Sequence, residues 1–199
     1  MKLLIATNNS GKIREYFDIF AHLPATLTSL AEEGITLDPV ETGTSFAENA
    51  ILKVTAFAQA GGLLTLADDS GLEIDALGGQ PGIFSARYSN TAKDDQAGRN
   101  RIVLDKMKDV PWPRRTARFR CVVALAHPED GVIGTAEGSL EGFIGYEPKG
   151  SGGFGYDPIF YVPDFDCTLA QLSPKQKHSI SHRGRAAQAA IPLIEKVCR

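Results

Sequence analysis

A chain of 199 residues with 43% hydrophobic and 23% charged side chains has the composition of an ordinary folded protein, long enough to bury a substantial core. A formal net charge of −3 excludes a global basic surface for polynucleotides, although a local cluster can still hold a small anion. Cys121, Cys167 and Cys198 show no CxxC spacing, which suits a reducing compartment and argues against a disulfide scaffold or thiolate zinc site.

The N-terminal apolar run is too short for a signal peptide and no segment reaches the length of a membrane span, so a cytoplasmic protein without membrane contact is expected. Lys2 to Ala6 reads as a short strand, followed by TNNSG and a helix whose apolar residues Ile13, Phe17 and Phe20 recur at helical spacing. Asn9 or Ser10 can cap that helix. The amides left unpaired at its start, together with Lys12, make residues 7–12 a candidate phosphate cradle, though not a Walker A sequence.

A second helix opens at the capping-box pair Ser45 and Glu48 and is stopped by Gly61 and Gly62. Its apolar stripe of Phe46, Ala50, Val54 and Phe57 leaves Glu48 and Lys53 off the buried face. Leu63 to Ala67 reads as a short buried strand, so Asp68 and Asp69 fall at its exit, where adjacent carboxylates are costly unless a cation sits beside them. A divalent metal would remove that cost. Glu41, Asp68, Asp69 and Asp75 are the candidate ligands, because Mg²⁺ takes a few hard carboxylate oxygens and completes its shell with water and substrate phosphates.

Gly71, Gly78, Gly79 and Gly82 with Pro81 bring backbone close to a ligand or simply make turns, and Arg87 needs an anion or carbonyl partner. A third helix is expected from Asp94 or Asp95 to about Lys108, with Pro111 and Pro113 marking a surface connection. Thr116 to Ala126 alternates with period two, a strand with one buried face, and the Asp130-Gly131 turn joins it in a hairpin to Val132–Ile144. In GSGGFGYDPIF, Phe154 and Tyr156 among glycines suit a flat heterocycle, or a tight turn with two packed aromatics. A last helix runs from about Ser181 through Glu195, and Pro192 should kink or shorten it. Lys175, Lys177, His178, His182, Arg183 and Arg185 form either a solvated basic face or an anion site. Crossover-length gaps together with a hairpin argue for an α/β fold with a mixed sheet and no independent linker.

In order and spacing, ATNNSGK, ETGTSFAENAILK, ADDSGLEIDALGGQPGIFSARY, GGFGYDPIF and ISHRG resemble the inosine/xanthosine triphosphate pyrophosphatase family, from Leu3 to about Ala187. The resemblance implies a single nucleoside-triphosphate pyrophosphatase domain over residues 1–199, with a mixed elongated central sheet and two α/β lobes flanking a deep active-site cleft. It also implies a homodimer and Mg²⁺-dependent cleavage of ITP, dITP or XTP to the monophosphate and pyrophosphate. Asp69 matches the family's catalytic carboxylate, and Glu41, Asp69 and Asp68 match its metal ligands. Thr7, Asn8, Asn9, Ser10, Gly11 and Lys12 match the triphosphate loop, and Lys53 a lysine beside it. Ser70, Phe154, Gly155, Tyr156, Asp157, Lys177, His182 and Arg183 match the substrate contacts. Asn8 stands where many members carry glycine, Phe84 replaces a frequent tyrosine, and Pro192 interrupts the final helix.

The chemistry expected of these groups is activation of a water by Asp69 and stabilisation of the leaving pyrophosphate by Lys12 and Lys53. Donors to a six-oxo purine would reject ATP, and the expected donors are backbone amides near Asp157 and the His182–Arg183 pair. Loss of Arg183 should then lower kcat/KM for ITP far more than thermal stability. The rival readings are a pyrophosphatase for another modified nucleotide and a nucleotide sensor without turnover.

Overall fold

The computed structural model describes residues 1–92 and 94–198, and the side chain of Cys198, one of the three cysteines counted above, lies outside the described residues. Seven strands form one mixed sheet in the order β2-β1-β3-β4-β5-β6-β7: β1 Lys2–Ile5, β2 Thr26–Ser29, β3 Leu64–Ile74, β4 Thr116–His127, β5 Gly131–Ile144, β6 Phe160–Val162 and β7 Cys167–Thr168. β1 runs parallel to β2 and β3, whereas β6 is antiparallel to β5 and β7. The α-helices are α1 Ser10–Phe20, α2 Phe46–Gly61, α3 Gln96–Lys106, α4 Pro174–Ile180 and α5 His182–Cys198. This is the mixed α/β architecture that the hairpin and crossovers called for. None of the described helices is long and apolar enough to cross a membrane.

The chain forms two compact units. The first comprises Met1–Asp69, Cys121–Gly138 and His182–Arg199. Leu3, Ile5, Leu64, Leu66, Cys121, Val123 and Leu125 on one face of its strands pack against Tyr16, Ile19 and Phe20 of α1 and Ala186, Ala187, Ala190 and Ile194 of α5. Alanines on α5 permit close approach to β5. At Gly138 a Cβ would lie 2.4 Å from the His182 carbonyl oxygen, so only glycine lets the first turn of α5 settle on the strand. α2 buries the expected stripe of Phe46, Ala50, Val54 and Phe57, and its end lies against Leu4, which alternates away from Leu3 and Ile5.

The second unit comprises Ser70–Arg120 and Ser139–Ser181, with a core of Leu72, Ile74, Val103, Met107, Ala117, Leu140, Ile144, Tyr156, Ile159, Phe160 and Leu169. Arg115 is fully buried there, with its guanidinium donating to the carbonyls of Met107, Val110, Ile144 and Gly145.

Several expectations change. β2 was not anticipated, because TLTS offers four residues without a marked apolar pattern. β3 runs on through DDSG to Ile74, so the two aspartates lie inside a strand and not beyond it. β4 alternates as expected over 116–120, but both faces are buried over 121–126, in the first unit, where helices cover the sheet. In α1 the buried face is Tyr16, Ile19 and Phe20, while Ile13 and Phe17 are only partly covered. α5 continues past Pro192 to Cys198. The carbonyl that Pro192 cannot engage is that of Gln188, and both residues are exposed, so water can satisfy it.

Candidate active site

Side chains alternate along an extended strand. Because β3 is extended through DDSG, Asp68 and Asp69 point to opposite faces, and each meets its own cation. Asp68 shares the side of Leu64 and Leu66: its Oδ2 accepts from Lys12 Nζ at 2.8 Å and from Cys121 Sγ at 3.5 Å, and lies 3.7 Å from Arg183 Nε. Asp69 turns toward α2. Its Oδ1 accepts from Lys53 Nζ at 2.8 Å and its Oδ2 from Asn49 Nδ2 at 3.3 Å. Lys53 Nζ also donates to Glu41 Oε1 at 2.9 Å, so Glu41 and Asp69 converge on one ammonium. The repulsion expected between neighbouring carboxylates is therefore relieved by alternation and by lysines, and adjacency alone gives no reason for a metal.

The two carboxylates differ electrically. Burial pushes both toward protonation, but Lys12 and Arg183, with Lys53 behind them, overcome it at Asp68 and hold that group well below the usual carboxylate range. At Asp69 burial wins over Lys53 and Lys12, so its proton affinity is raised. Burial alone would discharge Lys53, yet Asp69, Asp68 and Glu41 outweigh it and keep the ammonium charged. Asp68 Oδ1 is buried and has no hydrogen-bond partner among the described residues.

Behind Asp68 lies a buried polar network. Arg183, 2% exposed, donates from Nη1 to Glu15 Oε2 at 2.7 Å, and Glu15 is itself only 6% exposed. The Tyr16 hydroxyl lies 3.7 Å from Cys121 Sγ, and burial together with Asp68 pushes the Cys121 thiol up to about 12. Glu15 and Asn49 were missed in the sequence. The available signals were their spacings, Glu15 one turn after Lys12 on α1 and Asn49 one turn before Lys53 on α2. Asn49 is fully buried and also accepts the Gly43 N–H through Oδ1 at 2.9 Å, fixing the approach to α2.

The loop of residues 7–10 follows β1, which ends at Ile5 beside Leu66 while β3 continues. Asn8, Asn9 and Ser10 are exposed. Asn9 caps α1, its Oδ1 accepting the amides of Gly11 and Lys12 at 2.9 and 3.1 Å. Two amides expected to be free for an anion are thus already engaged, and Lys12 becomes the main positive group of this loop. At α2, Ser45 accepts the Glu48 amide, and the Glu48 carboxylate in return draws the backbone amides of Ser45 and Thr44 together with the Thr44 hydroxyl.

The remaining expected contacts, Ser70, Phe154 to Asp157 and Lys177, belong to the second unit. Asp157 Oδ2 accepts the Phe154 amide at 2.7 Å and the Lys177 ammonium, which sits 4.7 Å from the centre of the Phe154 ring. The amides of Phe154, Gly155 and Asp157 are all bonded within this unit, to Asp157, Gln96 and Phe154 respectively. They are not the spare donors expected for a six-oxo purine. The basic run divides: Lys177 is 4% exposed, and His182 and Arg183 are also buried, while Lys175 and Arg185 face solvent. Arg183 carries a structural load that the sequence reading did not assign it.

Asp75 has its own partners. It belongs to the second unit, where Arg118 at 2.9 Å and Thr116 at 2.6 Å bind it. Among the described residues no three His, Cys, Asp or Glu side chains surround a common metal position. The donor set nonetheless fits a hard divalent ion: Glu41 and Asp69 already hold a positive charge between them, and Mg²⁺ needs only one or two carboxylates besides phosphates and water.

A family model described as the Ham1 family matches residues 3–193. A dITP/XTP pyrophosphatase of Desulforamulus reducens is 49% identical over 197 residues, covering 99% of this chain and 97% of that protein. A dITP/XTP pyrophosphatase of Bacillus subtilis is 47% identical over 192 residues, 96% of each chain. The solved structure of the Staphylococcus aureus Ham1 protein is similar with a TM-score of 0.85 at 40% identity, covering 99% of this chain and all of that one. The chain belongs to the Ham1 family.

Proposed function

We propose that this chain hydrolyses deaminated purine nucleoside triphosphates, ITP, dITP and XTP, to the nucleoside monophosphate and pyrophosphate, so that non-standard purines are kept out of DNA and RNA. The observation that carries the reading is the convergence of Glu41 and Asp69 on a single cation, in a chain whose relatives are dITP/XTP pyrophosphatases. The same reading makes residues 1–199 one cytoplasmic pyrophosphatase domain acting as a homodimer.

Glu41 and Asp69, which already share the Lys53 ammonium, would hold Mg²⁺, which when bound would neutralise phosphate charge and make a neighbouring water more acidic, while Asp68 on the other face of the strand anchors Lys12. Asp69 serves as the base. Its raised proton affinity suits it to take the proton of a water attacking the α-phosphorus in line. Thr7 to Lys12 hold the triphosphate, and the Lys12 and Lys53 ammonium groups meet the charge of the departing pyrophosphate. Ser70, Phe154 to Asp157, Lys177, His182 and Arg183 orient the nucleoside.

Deamination replaces the six-amino donor of adenine with a carbonyl acceptor. A pocket offering donors there leaves buried groups unpaired against ATP, at roughly 1–3 kcal/mol each. Pyrophosphate release from ITP, XTP, GTP and ATP, measured side by side with and without Mg²⁺, tests the reading. Metal-dependent release from ITP and XTP with slow turnover of ATP is expected, and release from none of the four overturns it.

A further inference from the structure

The glycine-rich segment 150–157 carries Phe154 between Gly153 and Gly155, and such a chain loses much freedom when it is ordered. In the second unit one helix removes that freedom in advance. Asp95 caps α3 by accepting the Gly98 amide at 2.8 Å, which makes Gln96 the first helical residue. Asn100 lies one turn further on the same face. Gln96 Oε1 accepts the Gly155 N–H at 2.5 Å and Asn100 Nδ2 donates to the Gly155 carbonyl at 3.1 Å, so one helix takes both backbone groups of one residue. Gly155 has φ +64°, a left-handed conformation that side chains rarely adopt. On its other side Phe154 is fixed by Asp157, which accepts its amide, and by Lys177 against its ring.

We propose that Gln96 and Asn100 are positioning residues that pre-order the Phe154–Asp157 loop for the purine base, so that nucleotide affinity, and not the chemical step, depends on them. The inference rests on the functional reading above and deepens it. A loop held in its bound shape avoids the ordering cost at binding, and that cost returns when the clamp is cut.

The test compares wild type with Gln96→Leu, Asn100→Leu and Gln96→Glu in steady-state ITP hydrolysis, together with amide hydrogen exchange at Gly155 in the free protein. Each leucine variant should raise KM about fivefold, the worth of one hydrogen bond, with kcat within about twofold. Gln96→Glu keeps an acceptor for the Gly155 amide and should restore both KM and slow exchange, whereas Gln96→Leu should accelerate exchange about tenfold. Unchanged KM in both leucine variants overturns the proposal. So does a proportional fall of kcat, affinity and Tm that glutamate fails to rescue, because that is a merely structural role. Should wild type release no pyrophosphate from ITP, the functional reading falls, and exchange at Gly155 alone decides whether the clamp exists.

Discussion

Asp68 and Asp69 are chemically identical neighbours on β3, yet the two sides of that strand treat them differently. Toward α1 and α5, Asp68 meets Lys12 and Arg183 and is held ionised. Toward α2, Asp69 meets Lys53 and an amide from Asn49, and burial raises its proton affinity. The alternation of a strand thus separates a fixed charge from a carboxylate ready to take a proton. What tells them apart is the cations that the flanking helices supply.

The sharpest way to break that contrast is Asp69→Asn. Pyrophosphate release from ITP should fall by about 10²–10⁴. Since the folded state binds the Asp69 proton more tightly than the unfolded chain does, ionised Asp69 opposes folding as pH rises above the ordinary Asp value of about 3.9. The asparagine variant should therefore melt no lower than wild type at pH 7, with any advantage shrinking as pH falls toward 4. Near-normal turnover would remove Asp69 from the mechanism.

Arg183→Ala acts on the other side. It leaves Glu15 buried without its guanidinium, which costs about 3–5 kcal/mol and should lower Tm by about 10 °C in thermal denaturation. Lost ITP turnover with unchanged melting would return Arg183 to the pure substrate contact expected from the sequence.

Asp68→Asn is milder, because Arg183 keeps Glu15 while Lys12 loses its anchor. A stability loss on the order of 1–3 kcal/mol is expected at pH 7, with KM for ITP raised about tenfold. The stabilisation from Asp68 is present above about pH 3.9 and lost as pH falls through its depressed folded value, so the two proteins should converge only in strong acid. A gap that closes already near pH 6 would contradict this picture.

Much of the arrangement could be read from local pattern. α2 was legible because its cap, its stripe and its terminal glycines all agree within one segment, and Lys53 follows from them. The carboxylates were legible as a group, yet their opposite facing was not, since DDSG looks like a loop. The buried Leu72 and Ile74 just beyond it were the period-two signal that the strand continues. The partners of Asp75 were not legible, because nothing local reveals Arg118 forty-odd residues away.

Residue order alone was enough to specify the α/β class, the Ser45 cap, an α1 cap at Asn9 or Ser10, and the acidic and basic groups from which the chemistry is drawn, because these depend on neighbours a turn or a strand apart. Packing between distant segments settled which cations each aspartate meets, that Arg183 is tied to Glu15, and that the Gly155 amide is already engaged by Gln96. The reason is physical. Burial and charge compensation act over a few ångströms in space, and chain segments separated by 16 to 168 residues supply the partners.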